Sequence, residues 1–155
     1  SVITSRVLPF TITGVISPDG HYLYVVNSDF NLEFNGGSAV TAALNTVRTE
    51  TNQQIPVVRP PPGSDVYLLG RLWQWWPLLE LEKGQTYRLH IASMDWQHGF
   101  SLQPVNINAQ ILPGYEMVLT VTPDTSGDQT IICNEYCGIG HHMMTGKIYV
   151  TEGGL

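Results

Sequence analysis

The chain has 155 residues, a formal net charge of −6 and only 13% charged side chains. This length is enough for one domain with a substantial core, and the sequence shows no basic patch, so we expect no nucleic-acid partner. No stretch approaches the ~20 apolar residues that span a bilayer. The mild negative charge would suit a basic protein partner.

The first part of the chain predicts short strands separated by turn residues. Residues 9–16 and 21–27 are expected to form a hairpin around the turn Ser17-Pro18-Asp19-Gly20. Residues 38–47 permit either a strand or a short helix. The proline-rich residues 56–63 predict an extended connection.

The second half predicts strands at regular intervals. They are expected at 65–73, 78–81, 86–92, 99–103, 115–122, 129–133 and 147–151. Two of them alternate strictly, which predicts one buried face. The residues expected inside are Tyr87, Leu89, Ile91, Tyr115, Met117, Leu119 and Val121. The pattern favours an all-β antiparallel sandwich or barrel, with residues 1–64 as a hairpin and connection packed on a core formed by 65–155.

Residues 132–144 concentrate soft metal-binding side chains. These are Cys133, Cys137, His141 and Met144, spaced C-x₃-C-x₃-H-x₂-M. Thiols, an imidazole and a thioether together favour copper over zinc, magnesium or calcium. The adjoining His142 and Met143 are expected to point elsewhere, although Met143 is an alternative to Met144.

The two cysteines are the only ones in the chain, and they leave several alternatives. A disulfide would close a very small ring, which constrains the unfolded chain little. A mononuclear blue-copper site needs only one thiolate, so a second cysteine disfavours it. Two thiolates can instead bridge two metal ions, each of which then needs an imidazole. His98 is the best candidate for the second imidazole, because it lies at a predicted strand end, where such sites are built.

Three segments of the second half share a motif pattern with one family. They are Ser93-x-Asp95-x-x-His98-Gly99-Phe100, Pro113-Gly114 and Cys133-x-Glu135-x-Cys137-x₃-His141-x₂-Met144-x-Gly146. This pattern resembles the CuA domain of cytochrome c oxidase subunit II over roughly residues 65–151, whereas residues 1–60 match no motif. Nitrous oxide reductase also contains a CuA domain, but it typically carries an aromatic residue at the position of Glu135.

The resemblance implies a cupredoxin-like Greek-key β-sandwich or barrel with a binuclear, mixed-valence copper centre. Cys133 and Cys137 would bridge the two copper ions, and His98 and His141 would each bind one. Met144 would be an axial thioether, and the Glu135 carbonyl would bind the other copper. In the oxidase family the side chain at the Glu135 position also takes part in a magnesium site shared with subunit I, so magnesium is expected there only in the full complex.

Aromatic side chains surround the predicted ligands in the sequence. Trp73, Trp75 and Trp76 form a cluster that predicts either core packing or, by the resemblance, the point where electrons enter from cytochrome c. Trp96 and Phe100 are expected to shield the copper from water. Asp95 is expected either to brace the site by hydrogen bonding or to begin a turn.

The predicted function is therefore electron transfer and not catalysis by this domain alone. The resemblance implies that the domain accepts electrons from cytochrome c or a small copper protein and passes them to haem in oxidase subunit I. It also implies a location on the periplasmic or outer face of the cytoplasmic membrane, with an anchor helix that is missing from this sequence. The alternatives are a CuA domain of a nitrous oxide reductase and a copper-delivery or zinc-binding module.

Overall fold

Fourteen strands form three sheets in the described part of the chain. The computed structural model describes residues 55–153, together with the backbone of strands at 2–7, 10–16, 23–25 and 46–50. The strands are β1 Val2–Val7, β2 Phe10–Ile16, β3 Leu23–Val25, β4 Thr46–Glu50, β5 Ile55–Val58, β6 Asp65–Arg71, β7 Gln74–Trp76, β8 Leu78–Glu82, β9 Tyr87–Ser93, β10 His98–Gln103, β11 Ile107–Ile111, β12 Met117–Val121, β13 Gly127–Ile132 and β14 Thr145–Thr151. A short 3-10 helix, His141–Met143, precedes β14. The all-β prediction is therefore confirmed.

Two sheets enclose the main core. One has seven strands in the order β11-β10-β13-β14-β8-β5-β4, and the other has four in the order β12-β9-β6-β7. Apolar residues from both sheets form one buried cluster, which includes Leu68 and Leu89 from the smaller sheet and Leu79, Phe100 and Ile148 from the larger. This facing arrangement follows from the apolar face that each sheet must bury.

Three strand pairs are parallel, so the prediction of a purely antiparallel sandwich is wrong. β14 and β5 both run parallel to β8, and β6 runs parallel to β9. All residues from Leu78 to Leu81 on β8 are buried, as expected for a central strand with parallel neighbours. Side-chain alternation reports which face of a strand is buried, but it does not report the direction of its neighbour.

The N-terminal hairpin prediction holds for the backbone, because β2 and β3 are antiparallel partners. The turn at 17–20 and most of 38–47 lie outside the described residues.

Residues 56–63 do not form only the extended connection that the sequence predicts. The first of these residues belong to β5, which places β4 and β5 in the seven-stranded sheet. The division of the chain at residue 64 stays a prediction.

The alternating strands bury the expected faces with one exception. Tyr87, Leu89 and Ile91 are buried, and Val121 is buried on β12. Tyr115 is 70% exposed, so its predicted inward position is wrong. Its amide donates to the Leu112 carbonyl in a turn, and β12 begins only after this turn. No helix in the described residues has the length and apolar character needed to cross a membrane.

Candidate metal centre

The predicted metal-binding residues meet at one edge of the seven-stranded sheet. His98 begins β10 and Cys133 directly follows β13, and these two strands are antiparallel neighbours. The start of one therefore lies beside the end of the other. The Cys133 amide donates to the Met144 carbonyl over 3.1 Å. This bond closes residues 133–144, here called the ligand loop, at the beginning of β14.

The two cysteine sulfurs lie at the centre of the arrangement, 3.6 Å apart. Cys133 Sγ is 4.0 Å from Nδ1 of His98, and Cys137 Sγ is 3.7 Å from Nδ1 of His141. Cys137 Sγ is also 3.8 Å from Sδ of Met144. Each sulfur thus has one imidazole beside it. Both cysteines are free, so the disulfide alternative is not what the structure contains.

The donor atoms are shielded from water and grouped closely enough to hold a metal. The nitrogen of His98 and the sulfurs of Cys133 and Cys137 all lie within 4.8 Å of one another. His98 is fully buried, and both cysteines and Met144 are at most 3% exposed. Soft sulfur and imidazole donors in such a set fit copper. The residues present therefore fit the implied metal.

The thiols need a cation to become ligands. Burial, together with the hydrogen bond and charge of the neighbouring Cys133 sulfur and the charge of Asp95, raises the pKa of Cys137 to about 12. A thiol with such a pKa stays protonated at neutral pH. Because the thiolate is the form that binds metal, binding at this site requires the release of its proton.

Asp95 holds the buried imidazole in place. Its Oδ1 lies 2.7 Å from Nε2 of His98, and this contact leaves Nδ1 facing the Cys133 sulfur. Asp95 also accepts hydrogen bonds from the amides of Leu72 and Trp96, each over 2.7 Å. Burial opposes ionisation of Asp95, but these hydrogen bonds outweigh it and lower its pKa. The geometry supports the bracing role for Asp95, an arrangement common around metal-binding histidines.

Trp73 contacts the ligand loop directly. Its indole Nε1–H donates to the Cys137 carbonyl over 3.0 Å. The ring packs on Gly140 so closely that any Cβ at that position would overlap it. Gly138 has a φ of +107° and lies beside the same ring. Glycine is thus required at Gly140 for close approach and at Gly138 for its backbone conformation.

The remaining aromatic residues take different positions. Trp75 is fully buried and packs edge-on against His98 and Phe100, with ring centroids 6.1 and 5.4 Å away. Trp76 is half-buried and lies under the Arg71 guanidinium, 5.6 Å from its ring centre. Phe100 is fully buried beside the site, whereas Trp96 is 61% exposed. Phe100 therefore lies where it can shield the site from water, as expected. Trp96 does not, because its side chain faces solvent.

The backbone carbonyl of Glu135 lies close to the cysteine pair. The Cys133 thiol lies 3.2 Å from the Glu135 carbonyl oxygen, which places that oxygen beside the sulfur pair. The Glu135 side chain is half-buried and accepts a hydrogen bond from Gln110 Nε2 over 3.2 Å.

Several residues that shape the site offer no side-chain ligand to a metal, and the sequence analysis did not identify them. A Cβ on Gly99 would overlap the side chain of Asn134, and a Cβ on Gly70 would lie 3.1 Å from the His98 ring. A glycine inside a predicted strand was the available signal, since it often marks a close approach. The amide of Leu72, which holds Asp95, had no signal in the sequence.

Comparison with known proteins decides the family. No family model matches the chain. A cytochrome c oxidase subunit 2 from Thermus thermophilus is 38% identical over 112 residues, which cover 69% of this chain and 83% of the relative. The chain belongs to the cytochrome c oxidase subunit 2 family. This finding favours the oxidase over the nitrous oxide reductase alternative.

Solved structures agree on the fold. A haem-copper terminal oxidase dimer contains a chain with a TM-score of 0.54 at 23% identity, covering 69% of this chain and 71% of that one. The periplasmic domain of cytochrome oxidase subunit II from Bradyrhizobium japonicum gives the same TM-score of 0.54 at 18% identity, covering 60% and 87%. The predicted cupredoxin fold is confirmed. The predicted role as a copper-binding electron-transfer domain of this family is confirmed as well, and membership implies a subunit I partner.

Proposed function

We propose that this domain holds a binuclear copper centre that relays single electrons. The observation that carries the proposal is the paired arrangement of donors. Two sulfurs lie 3.6 Å apart, and each has its own imidazole, His98 beside Cys133 and His141 beside Cys137. A mononuclear blue-copper site uses a single thiolate and gives the second sulfur no role.

In the proposed centre Cys133 and Cys137 would hold both copper ions through their sulfurs, and His98 and His141 would each hold one. Met144 would be a further donor on the Cys137 side, because it is buried and its sulfur lies 3.8 Å from that of Cys137. The Glu135 carbonyl, 3.2 Å from the Cys133 sulfur, would be the corresponding donor on that side. When bound, such a copper pair gains and loses one electron with little change in its bonds.

The protein supplies rigidity and the exclusion of water. Strands β13 and β14 hold the ligand loop at both ends, Trp73 fixes it from the side, and Asp95 fixes His98 at the start of β10. Fixed donors oppose any rearrangement on reduction.

We propose that the electron donor docks on the exposed rim of the site. Five large apolar side chains close in sequence to the ligands or to Asp95 and Trp73 are exposed, and they are here called the exposed rim. They are Leu72 (39%), Trp96 (61%), Tyr136 (77%), Ile139 (83%) and Met143 (59%). Exposed apolar patches mark protein-interaction sites. A cytochrome c or a small copper protein with a matching apolar face is the proposed partner.

Trp73 is the proposed path from this rim to the centre. It is half-buried, so its ring joins the surface to the interior, and its indole reaches the carbonyl of Cys137. Trp75 is fully buried and Trp76 lies with Arg71. Of the three tryptophans, Trp73 is therefore the one that is both half-buried and hydrogen-bonded to a cysteine.

Four further proposals concern the assembled oxidase. Electrons leave this domain for haem in subunit I, and the side chain of Glu135, now bonded to Gln110, joins a magnesium site in the full complex. The domain lies on the periplasmic or outer face of the cytoplasmic membrane, supported by the Bradyrhizobium neighbour, which is described as a periplasmic domain. An anchor helix outside this sequence would attach it to the membrane.

Metal analysis combined with a redox titration tests the proposal. The reduced protein should take up two copper ions per chain and then release a single electron on oxidation. Cys133→Ser should lower the copper content to at most one ion. A parent protein that binds a single copper would contradict the binuclear centre.

A further inference from the structure

The ligand loop displays a second pair of soft donors on its outer side. His142 and Met143 are exposed, Met143 by 59%. Neither side chain makes a hydrogen bond or ion pair within residues 55–153. An exposed methionine is uncommon, because its side chain is usually buried. Two of the five histidines and two of the four methionines of the chain thus stand together in residues 141–144.

Each exposed donor directly adjoins an inner donor of its own kind. His142 follows His141, whose Nδ1 lies 3.7 Å from the Cys137 sulfur, and Met143 precedes Met144, whose sulfur lies 3.8 Å from the same atom. Consecutive Cα atoms are about 3.8 Å apart. The 3-10 helix His141–Met143 turns by roughly one third of a circle per residue, so neither His142 nor Met143 points in the direction of His141. The unbranched Met143 side chain has three rotatable bonds, so its sulfur can reach toward the adjacent His142 ring.

We propose that His142 and Met143 form a transient acceptor site for Cu(I), from which the metal passes inward to the buried donors. A thioether selects Cu(I), and imidazole is a good copper ligand. This inference rests on the proposed copper centre and adds the route by which it is loaded. It assigns a role to two side chains that the centre itself does not use.

The transfer is an exchange of ligands without a change of oxidation state. Copper arrives as Cu(I) and remains Cu(I). Its bonds to the His142 nitrogen and the Met143 sulfur break as bonds to the sulfurs of the two cysteines form. Each cysteine thiol releases one proton to solvent as it becomes a ligand.

The direction of transfer follows from the donor sets. The outer pair offers two neutral donors in water, so it should hold the ion weakly. The inner site offers two thiolates, which are much stronger ligands for a soft cation, in a buried position. The outer pair therefore raises the rate of capture, while the inner set determines the final affinity.

Loading kinetics test this inference. The probe is Cu(I) held by bicinchoninate, mixed anaerobically with the reduced metal-free protein, and the decay of the coloured chelate gives the rate. The variant His142→Gln/Met143→Leu keeps the size and polarity of both side chains but removes both soft donors. Ile139→Val is the matched control, since Ile139 is 83% exposed on the same loop and carries no donor.

We expect the double variant to load about tenfold more slowly, which corresponds to about 1.4 kcal/mol of barrier, and the control to load at the parent rate. All three proteins should reach the same copper content, because the inner donors are intact. Equal loading rates in the parent and the double variant would overturn the inference. A parent that takes up no copper would instead overturn the proposed centre itself.

A second measurement observes the outer site directly. The variant Cys133→Ser/Cys137→Ser lacks the two thiolates that bind Cu(I) most strongly, so Cu(I) should remain on His142 and Met143. Addition of Cu(I) should shift the NMR signals of the Met143 methyl group and the His142 ring. A shift confined to the Met144 methyl group, with those of His142 and Met143 unchanged, would refute the outer site.

Discussion

Asp95 holds the fully buried His98 ring, so its removal should weaken both the fold and the metal site. In Asp95→Ala the Nε2–H of His98 loses its acceptor at 2.7 Å in a position without access to water. An unsatisfied buried donor costs about 1–3 kcal/mol. The amides of Leu72 and Trp96, which also bind Asp95, lie on exposed residues and can bind water instead.

The His98 ring would then be free to turn its Nδ1 away from the Cys133 sulfur. Loss of a residue that orients a metal-binding histidine typically lowers metal affinity about 10–100-fold. Urea unfolding of the metal-free protein measures the stability, and competition with a chelator measures copper affinity. Asp95→Asn retains an oxygen acceptor, so we expect a smaller loss of both.

Asp124→Ala is the matched control, because Asp124 is an exposed carboxylate that accepts a hydrogen bond from its neighbour Thr125. Its removal should change the free energy of unfolding by no more than about 0.5 kcal/mol. The reasoning is refuted if Asp95→Ala binds copper as tightly as the parent and unfolds at the same urea concentration.

Three further predictions concern the loop and the fold. Gly140→Ala should displace the Trp73 ring, which leaves no room for a Cβ. The tryptophan fluorescence spectrum should therefore change, and the thermal unfolding midpoint should fall. An unchanged spectrum and midpoint would contradict the contact. Met144→Leu should keep the mixed-valence signal but shift the redox potential, because an axial thioether tunes the metal; voltammetry on the copper-loaded protein measures this, and an unchanged potential would argue against ligation. Burial opposes ionisation of Asp65, but hydrogen bonds led by that from His90 outweigh it and lower its pKa below the usual 3.8. The stability that results is present above pH 3.8 and is lost as the pH falls through the lower pKa of the folded state. In Asp65→Asn the free energy of unfolding in urea should therefore fall less steeply below about pH 4. A decrease as steep as that of the parent protein would exclude this role.

The sequence predicted the donors of the candidate site better than their supports. The cysteine spacing, with His141 and Met144, pointed to one soft site, and the structure brings these side chains together with His98 from a separate strand. The contact between His98 and the loop follows from the pairing of β10 with β13. Spacing within one segment cannot reveal such a contact; the position of His98 at a predicted strand end and the family resemblance pointed to it.

The parts that escaped prediction depend on three-dimensional proximity. The hydrogen bond from Trp73 to Cys137 joins residues 64 positions apart, and neither residue carries a local sign of it. The parallel pairing of β6 with β9 likewise leaves no trace in the alternation of either strand. Tyr115 continues the apolar alternation of β12 in sequence, but the turn before that strand exposes it.

The electron paramagnetic resonance spectrum of the copper-loaded, partly oxidised protein tests the central claim most directly. One unpaired electron shared by two copper ions between Cys133 and Cys137 predicts a seven-line hyperfine pattern, which should disappear in Cys133→Ser. A four-line pattern in the parent protein would show an electron confined to one copper and would contradict the binuclear centre.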